Sequence, residues 1–346
     1  MKPLLAAALA LPLLAAVAAD QPQDWSQVQD EFSKDFAESK AICRRLIHLD
    51  LPAADRPDAA AARALKGCDS EALYYGTASR PADPAKARQC AYLELADEDN
   101  AGVFGGRTML MTVYANGRGA RRDLDLATHL ACQIDGAPFE RDGRVRHLAE
   151  LKAKGWTGSD FDYCDDITSG LAMGYCADRE ARRADGARDA KIGRIASGLA
   201  PALRPAFDAL RKAHAAFVDA HGDGEVDLGG TARAAMQIDA EQKQKDELLD
   251  LLQRLAAGRA PTFSHAQFAA ADARLNAAYR KRLAAIGPSD GPGAVTKAGV
   301  VGAQRAWLRY RDAFLVFAAV AYPKVSRDSL AAWLTDKRIA MLSAEE

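Results

Sequence analysis

Large apolar side chains recur through the C-terminal half of the chain in steps of four and three. Ala303, Trp307, Tyr310, Phe314, Phe317 and Ala321 fall on one stripe, the spacing of a helix that packs along a single seam. Burying a large apolar side chain is worth roughly 1.5–3 kcal/mol, so a seam this rich in aromatics requires apolar partners, and a helical bundle is predicted. The same spacing occurs earlier at Leu203, Phe207, Leu210, His214, Phe217 and His221. The run Lys212-Ala213-His214 to Phe217-Val218-Asp219-Ala220 lines up with Arg305-Ala306-Trp307 to Tyr310-Arg311-Asp312-Ala313, and upstream Ala184-Asp185 to Asp189 mirrors Ala271-Asp272 to Asn276. The pattern predicts two copies of one helical unit. Asp328 to Leu342 is again amphipathic and is expected to close the second copy.

The N-terminal half follows a different rhythm. Val28, Phe32, Phe36, Ile42 and Leu46 have loose helical spacing, which Leu51-Pro52 to Pro57-Asp58 stops. From Ala59 to about Lys154, helical stretches alternate with turn signals. Cys68 to Gly76 ends one helix, and Asp83-Pro84 starts the next with an aspartate cap and a proline at the first helical position. Thr108 to Gly117 closes a helix on glycine, and Asp123 opens another. Two such units spaced by about 40 residues predict a helical repeat. In the second half, Gly287 to Gly293 is a turn-rich loop, and Glu225 to Met236 is a turn delivering a helix with Thr231 as its cap.

Asp272-Ala-Arg-Leu275-Asn276-Ala-Ala-Tyr279, followed by Gln304-Arg-Ala-Trp307-Leu-Arg-Tyr-Arg311-Asp312, resembles the D-x-x-L-N-x-x-Y and Q-x-x-W-x-x-x-R-D signatures of the LprI-like lysozyme-inhibitor domain, a small all-helical domain. The stretch from Cys164 through Cys176 and Asp185 to Gly229-Gly230-Thr231 resembles the opening of the same domain. That copy is degenerate, with His214 at the tryptophan position and Val218 at the arginine position. The later copy has no cysteine, and Phe314 stands near where the family often places one. Tyr114-Ala-Asn-Gly117-Arg-Gly119-Ala-Arg-Arg-Asp123-Leu-Asp-Leu-Ala127 resembles the core of SEL-like repeats, tetratricopeptide-like hairpins that imply partner binding on a concave surface. The unit before it lacks the second glycine.

The fold class expected is therefore all-α, a short helical-hairpin stack followed by two small helical bundles. The divisions are a signal peptide at 1–19, a helical region with SEL-like repeats at 20–158, a degenerate LprI-like domain at 159–260 and an LprI-like domain at 261–346. The signal reading rests on Lys2, the short apolar run from Leu4 and the small residues Val17-Ala18-Ala19 before Asp20. It implies a periplasmic or secreted chain, with no membrane insertion, because no stretch approaches about 20 apolar residues. Export gives the six cysteines a structural meaning. Six allow 15 pairings. Spacing favours Cys164–Cys176 across a short loop and Cys68–Cys90 between consecutive helices, leaving Cys43–Cys132.

Hydrophobic content of 49% and charged content of 27% exclude wholesale disorder. The segment 263–346 carries 12 Lys and Arg against 7 Asp and Glu, a net +5, whereas 160–262 is −4 and 20–159 is −3. Nucleic acid is not an expected partner, since the aromatics lie on the seam rather than among exposed cations. No nucleophile, phosphate-loop or metalloprotease motif is present, so no catalytic residue and no cofactor is assigned. His214 and His221 share a helix face without a visible third ligand, and the aspartates from Asp160 to Asp166 lack EF-hand spacing, so no metal is assigned. Arg311-Asp312 is expected to tie helices together through charge-assisted hydrogen bonds. The expected role is an exported, non-catalytic protein-binding protein of the bacterial envelope, and the resemblance implies a lysozyme as partner. The alternative is an envelope hydrolase or cell-wall-processing factor that uses the Asp162–Asp166 carboxylates, which needs two of them facing each other across a cleft.

Overall fold

The computed structural model describes residues 23–96, 102–288 and 291–343; the signal-peptide segment 1–19 lies outside them. The described chain is all-α and has two hydrophobic cores. The first belongs to a stack of helices in chain order, α1 (Ala37–Leu46), α2 (Ala59–Ala64), α3 (Ser70–Tyr75), α4 (Pro84–Leu95), α5 (Gly106–Asn116), α6 (Leu124–Cys132) and α7 (Pro138–Ala153). From α3 to α7 each helix packs on the next.

Local chemistry sets these boundaries. Asp69, Asp83 and Asp123 each accept a hydrogen bond from the amide three residues on, closing the first turns of α3, α4 and α6. Pro84 occupies the first turn of α4, and Gly117 ends α5 in the left-handed conformation at φ 63°. The α5 helix is buried all round from Thr108 to Asn116, so the other helices wrap it. The disulfide Cys43–Cys132 ties α1 to α6, and Cys68–Cys90 ties the turn before α3 to α4.

Phe32 departs from the expected inward stripe and is 81% exposed. The segment before α1 consists of two short 3-10 turns, Trp25–Gln27 and Glu31–Ser33, so α-helical spacing does not carry across it. Trp25 enters the core instead, its indole donating to Ser39 Oγ at 2.8 Å.

The second core belongs to α8 (Gly170–Ser197), α9 (Arg204–Glu225), α10 (Arg233–Ala256), α11 (His265–Ala285), α12 (Lys297–Ala321) and α13 (Arg327–Ser343). At 28 residues, α8 is about 42 Å long at 1.5 Å per residue, and it joins the two cores, with Cys176 in the first and Ile192 in the second. Cys164–Cys176 fixes its N-terminal part to a short turn at Tyr163–Asp166.

Contacts along the helices give their directions. Gly170 lies against Thr231, while Arg188 reaches Gln242 and Asp246, so α8 and α10 run parallel. Phe263 and Arg274 meet Ser329 and Asp336, so α11 and α13 also run parallel. Between these pairs α9 and α12 lie antiparallel. Phe207 packs on Phe317 at 5.2 Å, Phe217 stacks on Tyr310 at 5.7 Å, and Gly224 meets Gly299. A Cβ on either glycine would come within 2.5–2.7 Å of the other's backbone, so only glycine permits this crossing. The seam residues of α9 and α12 interleave in one core running from Ile192 to Leu342.

Two local expectations change. Thr231 is not the cap of α10, which begins at Arg233 after Ala232 with no side-chain cap; the Thr231 backbone sits against Gly170 of α8 instead. In the stretch expected to mirror Asp272 to Asn276, Arg188 stands one residue before Asp189 where Leu275 stands before Asn276. Arg188 is buried and pairs with Asp185, Asp246 and Gln242, so a polar tie replaces an apolar contact.

Candidate functional site

The residues that carry the LprI resemblance lie on α11 and α12. Leu275 is buried and Tyr279 half-buried, while Asn276 turns outward and donates to the Asp272 carbonyl at 2.9 Å and its Oδ2 at 3.1 Å. Gln304 and Trp307 are buried. The Arg311 guanidinium lies over the Trp307 ring at 5.2 Å, and its Nε and Nη2 each donate to Asp312 Oδ1 at 3.2 Å. Arg311 therefore shields the tryptophan within its own helix, and among the described residues its hydrogen bonds go to Asp312 and not to another helix as expected.

The tie between helices is made by Arg338, which sequence reasoning did not single out. From α13 its Nε donates to Gln304 Oε1 at 2.9 Å, and its Nη1 and Nη2 donate to Glu225 Oε2 and Oε1 at 2.7 and 2.6 Å. His221 Nδ1 lies 2.9 Å from Glu225 Oε2. One bidentate pair thus links α13, α12 and the end of α9. Burial pushes the Glu225 carboxyl up, but hydrogen bonds from His221 and Arg338 outweigh it and hold the group below its ordinary range. The sequence held a signal for this clamp: Ala331, Thr335, Arg338 and Leu342 follow the four-three-four spacing of a buried stripe.

His214 is buried against Tyr310 at 5.0 Å between ring centroids, with its Nε2 3.1 Å from the Gln244 carbonyl. Burial depresses its pKa to about 4. The space bounded by His214, Trp307 and Arg338 is only about 10 Å³, no more than one water occupies. Leu275, Gln304, Trp307 and the two histidines are taken up in packing, whereas Asn276 and Asp312 face outward, and no group of three or more His, Cys, Asp or Glu among the described residues is placed to hold a metal.

The aspartates before α8 are also occupied. Asp162 accepts hydrogen bonds from Cys164 N at 2.8 Å, Arg179 Nη2 at 2.7 Å and the Tyr75 hydroxyl at 2.5 Å. Burial raises its pKa, but Arg179 and Tyr75 bring it below the ordinary carboxylate value. Asp165 accepts from Asp162 N at 2.8 Å, which makes the two a capping pair in one turn, and Asp166 meets His147 Nδ1 at 2.9 Å. Asp162 and Asp165 do not face each other across a cleft. Their geometry fastens α8 to the stack, with Arg182 reaching Glu71 further along.

Two stretches of open surface differ in character. A groove of about 990 Å³ lies on the stack between α2 and the turn that leads into α4. On α12, Val316 and Val320 are exposed on successive turns. No helix among the described residues is long and apolar enough to cross a membrane. No curated protein and no solved structure matches the chain. The family described as Lysozyme inhibitor LprI matches residues 256–342, the segment that holds α11, α12, nearly all of α13 and the residues from Asp272 to Tyr279 and from Gln304 to Asp312 that carry the resemblance.

Proposed function

We propose that this is an exported, non-catalytic protein-binding protein of the bacterial envelope whose C-terminal unit inhibits a lysozyme. The match of 256–342 to the LprI family carries this reading. The space beside its Trp307 is only about 10 Å³, which leaves no internal cleft there for a ligand and fits a unit that works through its outer surface. Three disulfides add support for a location outside the cytoplasm. We also read 164–255 as a second, degenerate LprI-like unit. The parallel outer pair and antiparallel central helix of α8 to α10, repeated in α11 to α13, support that reading.

Charge shapes the encounter. The matched unit is net +5, whereas 160–262 is −4 and 20–159 is −3. A basic lysozyme is steered towards the acidic regions, so inhibition weakens as salt screens that attraction. The test is lysozyme-driven lysis of bacterial cells with the purified mature protein at micromolar excess. Slower lysis, with a smaller effect at high salt, supports inhibition. Unchanged lysis at low salt removes the inhibitor claim, and a pull-down from envelope extract then tests protein binding by itself.

A further inference from the structure

The groove on the stack has a chemistry distinct from everything around it. Leu65, Leu73, Pro81 and Pro84 are among the residues that form its apolar floor, and Lys66, Arg80, Lys86 and Arg118 stand around it. The one carboxylate lining it, Asp83, is already engaged by Lys86 Nζ at 2.9 Å and by the first turn of α4. Neither the Lys66 ammonium nor the Arg80 guanidinium has an ion-pair or hydrogen-bond partner among the described residues. Arg118 is held over the Tyr74 ring at 4.8 Å. This cationic rim stands on a segment, 20–159, whose net charge is −3.

The walls are fixed in advance. Arg88 Nη1 donates to the Gly119 carbonyl at 2.7 Å and meets Asp55 Oδ1 at 3.1 Å. Gly119 has φ +91°, and a Cβ there would come 2.2 Å from the Pro84 carbonyl oxygen. The disulfide Cys68–Cys90 holds the opposite wall to α4. A groove that is rigid before binding loses less entropy when it is filled.

We infer that this groove docks an acidic amphipathic segment of another protein, with leucine-like side chains on the floor and carboxylates against Lys66, Arg80 and Arg118. The apolar floor argues for a polypeptide, since a bare polyanion would leave it unused. The groove is lined by residues between Ala61 and Gly119, none of them in the LprI-type unit, so the surface is separate from that unit and its partner is a second one.

The probe is a fluorescein-labelled amphipathic peptide with leucines on one face and glutamates on the other, titrated into the full mature protein and followed by anisotropy. Saturable binding is expected, weakened about tenfold or more by the double substitution K66E/R80E. A64R, which fills the groove from an exposed position and keeps the cations, is expected to weaken it as well. Both variants should keep the parent's circular dichroism and its effect in the lysozyme assay. The proposal is overturned if the peptide does not bind, or if its glutamine version binds equally well. It also fails if inorganic polyphosphate competes as well as the peptide does, if either variant binds normally, or if the variants change the lysozyme assay.

Discussion

Replacing Arg338 with methionine tests the clamp on which the bundle closes. The arginine side chain is 0% exposed and Glu225 is 7% exposed, so the variant leaves a nearly buried carboxylate that has lost both bonds from the guanidinium and keeps only His221 as a side-chain partner. It also strands Gln304, whose Oε1 accepts from Arg338 Nε. Removing one member of a buried pair typically costs about 3–5 kcal/mol. For a bundle of this size each kcal/mol shifts Tm by roughly 2–4 °C, so a drop of roughly 6–20 °C is expected. Unfolding in urea, followed by near-ultraviolet circular dichroism, measures the change. Because the stack has its own core, the loss should fall on the bundle. Glu225→Gln removes the stranded charge, so the double variant should recover stability relative to the sum of the singles, with a coupling of about 2 kcal/mol. A single variant within about 1 kcal/mol of the parent, or strictly additive singles, would refute the clamp.

Three further outcomes follow from the same packing. The folded state keeps His214 neutral down to pH about 4, against an ordinary 6.5. Its stabilising contribution is therefore complete above pH 6.5 and withdrawn as pH falls towards 4, by about 3 kcal/mol in all at 1.36 kcal/mol per unit. His214→Gln should flatten the stability profile in that window, and parallel profiles for the two proteins would contradict it. Arg144 is buried over the Tyr163 ring at 4.4 Å, and none of its three guanidinium nitrogens has a hydrogen-bond partner among the described residues. Arg144→Met should accordingly change the unfolding free energy by less than about 1 kcal/mol, in contrast to Arg338→Met. Removing Cys43–Cys132, with a separation of 89 residues, should cost about 4–5 kcal/mol by loop entropy, and removing Cys164–Cys176, with a separation of 12, about 3 kcal/mol; calorimetry on the paired alanine variants checks the order.

What could be read from the sequence was what period and local chemistry determine. The seam from Ala303 to Ala321 and its counterpart from Leu203 to His221 identified α12 and α9, because a one-sided apolar stripe has few other ways to be buried. Aspartate caps and the Gly117 turn located the ends of the stack helices within a residue or two. The misses have a common cause in polar groups whose role depends on distant partners. Nothing near Arg338 in the sequence announces Glu225, 113 residues away. The Asp162 to Asp166 run looked like free acid, but Tyr75 and Arg179, from separate helices, complete its hydrogen bonding. Arg311 and Asp312 were misread for the converse reason, since neighbours on one helix can satisfy each other without a second helix.

The arrangement of α9 and α12 also gives the proposed degenerate unit a structural part. The aromatic seam of α12 is covered most extensively by α9, which belongs to the first unit, and less by α13 of its own unit. Without α9, Tyr310 would lose the rings of Phe217 and His214, and Phe317 would lose that of Phe207. A seam cover must present bulk at the right spacing but has no need of the tryptophan or arginine of the signature. His214 and Val218 at those positions meet that requirement, and both are buried. Under the proposed two-unit reading, α9 carries the part of the pattern that packs, and α12 also carries the tryptophan and arginine of the signature. The proposed partner binding would then rest on α11 to α13, while α9 covers the α12 seam and α8 joins this core to the stack.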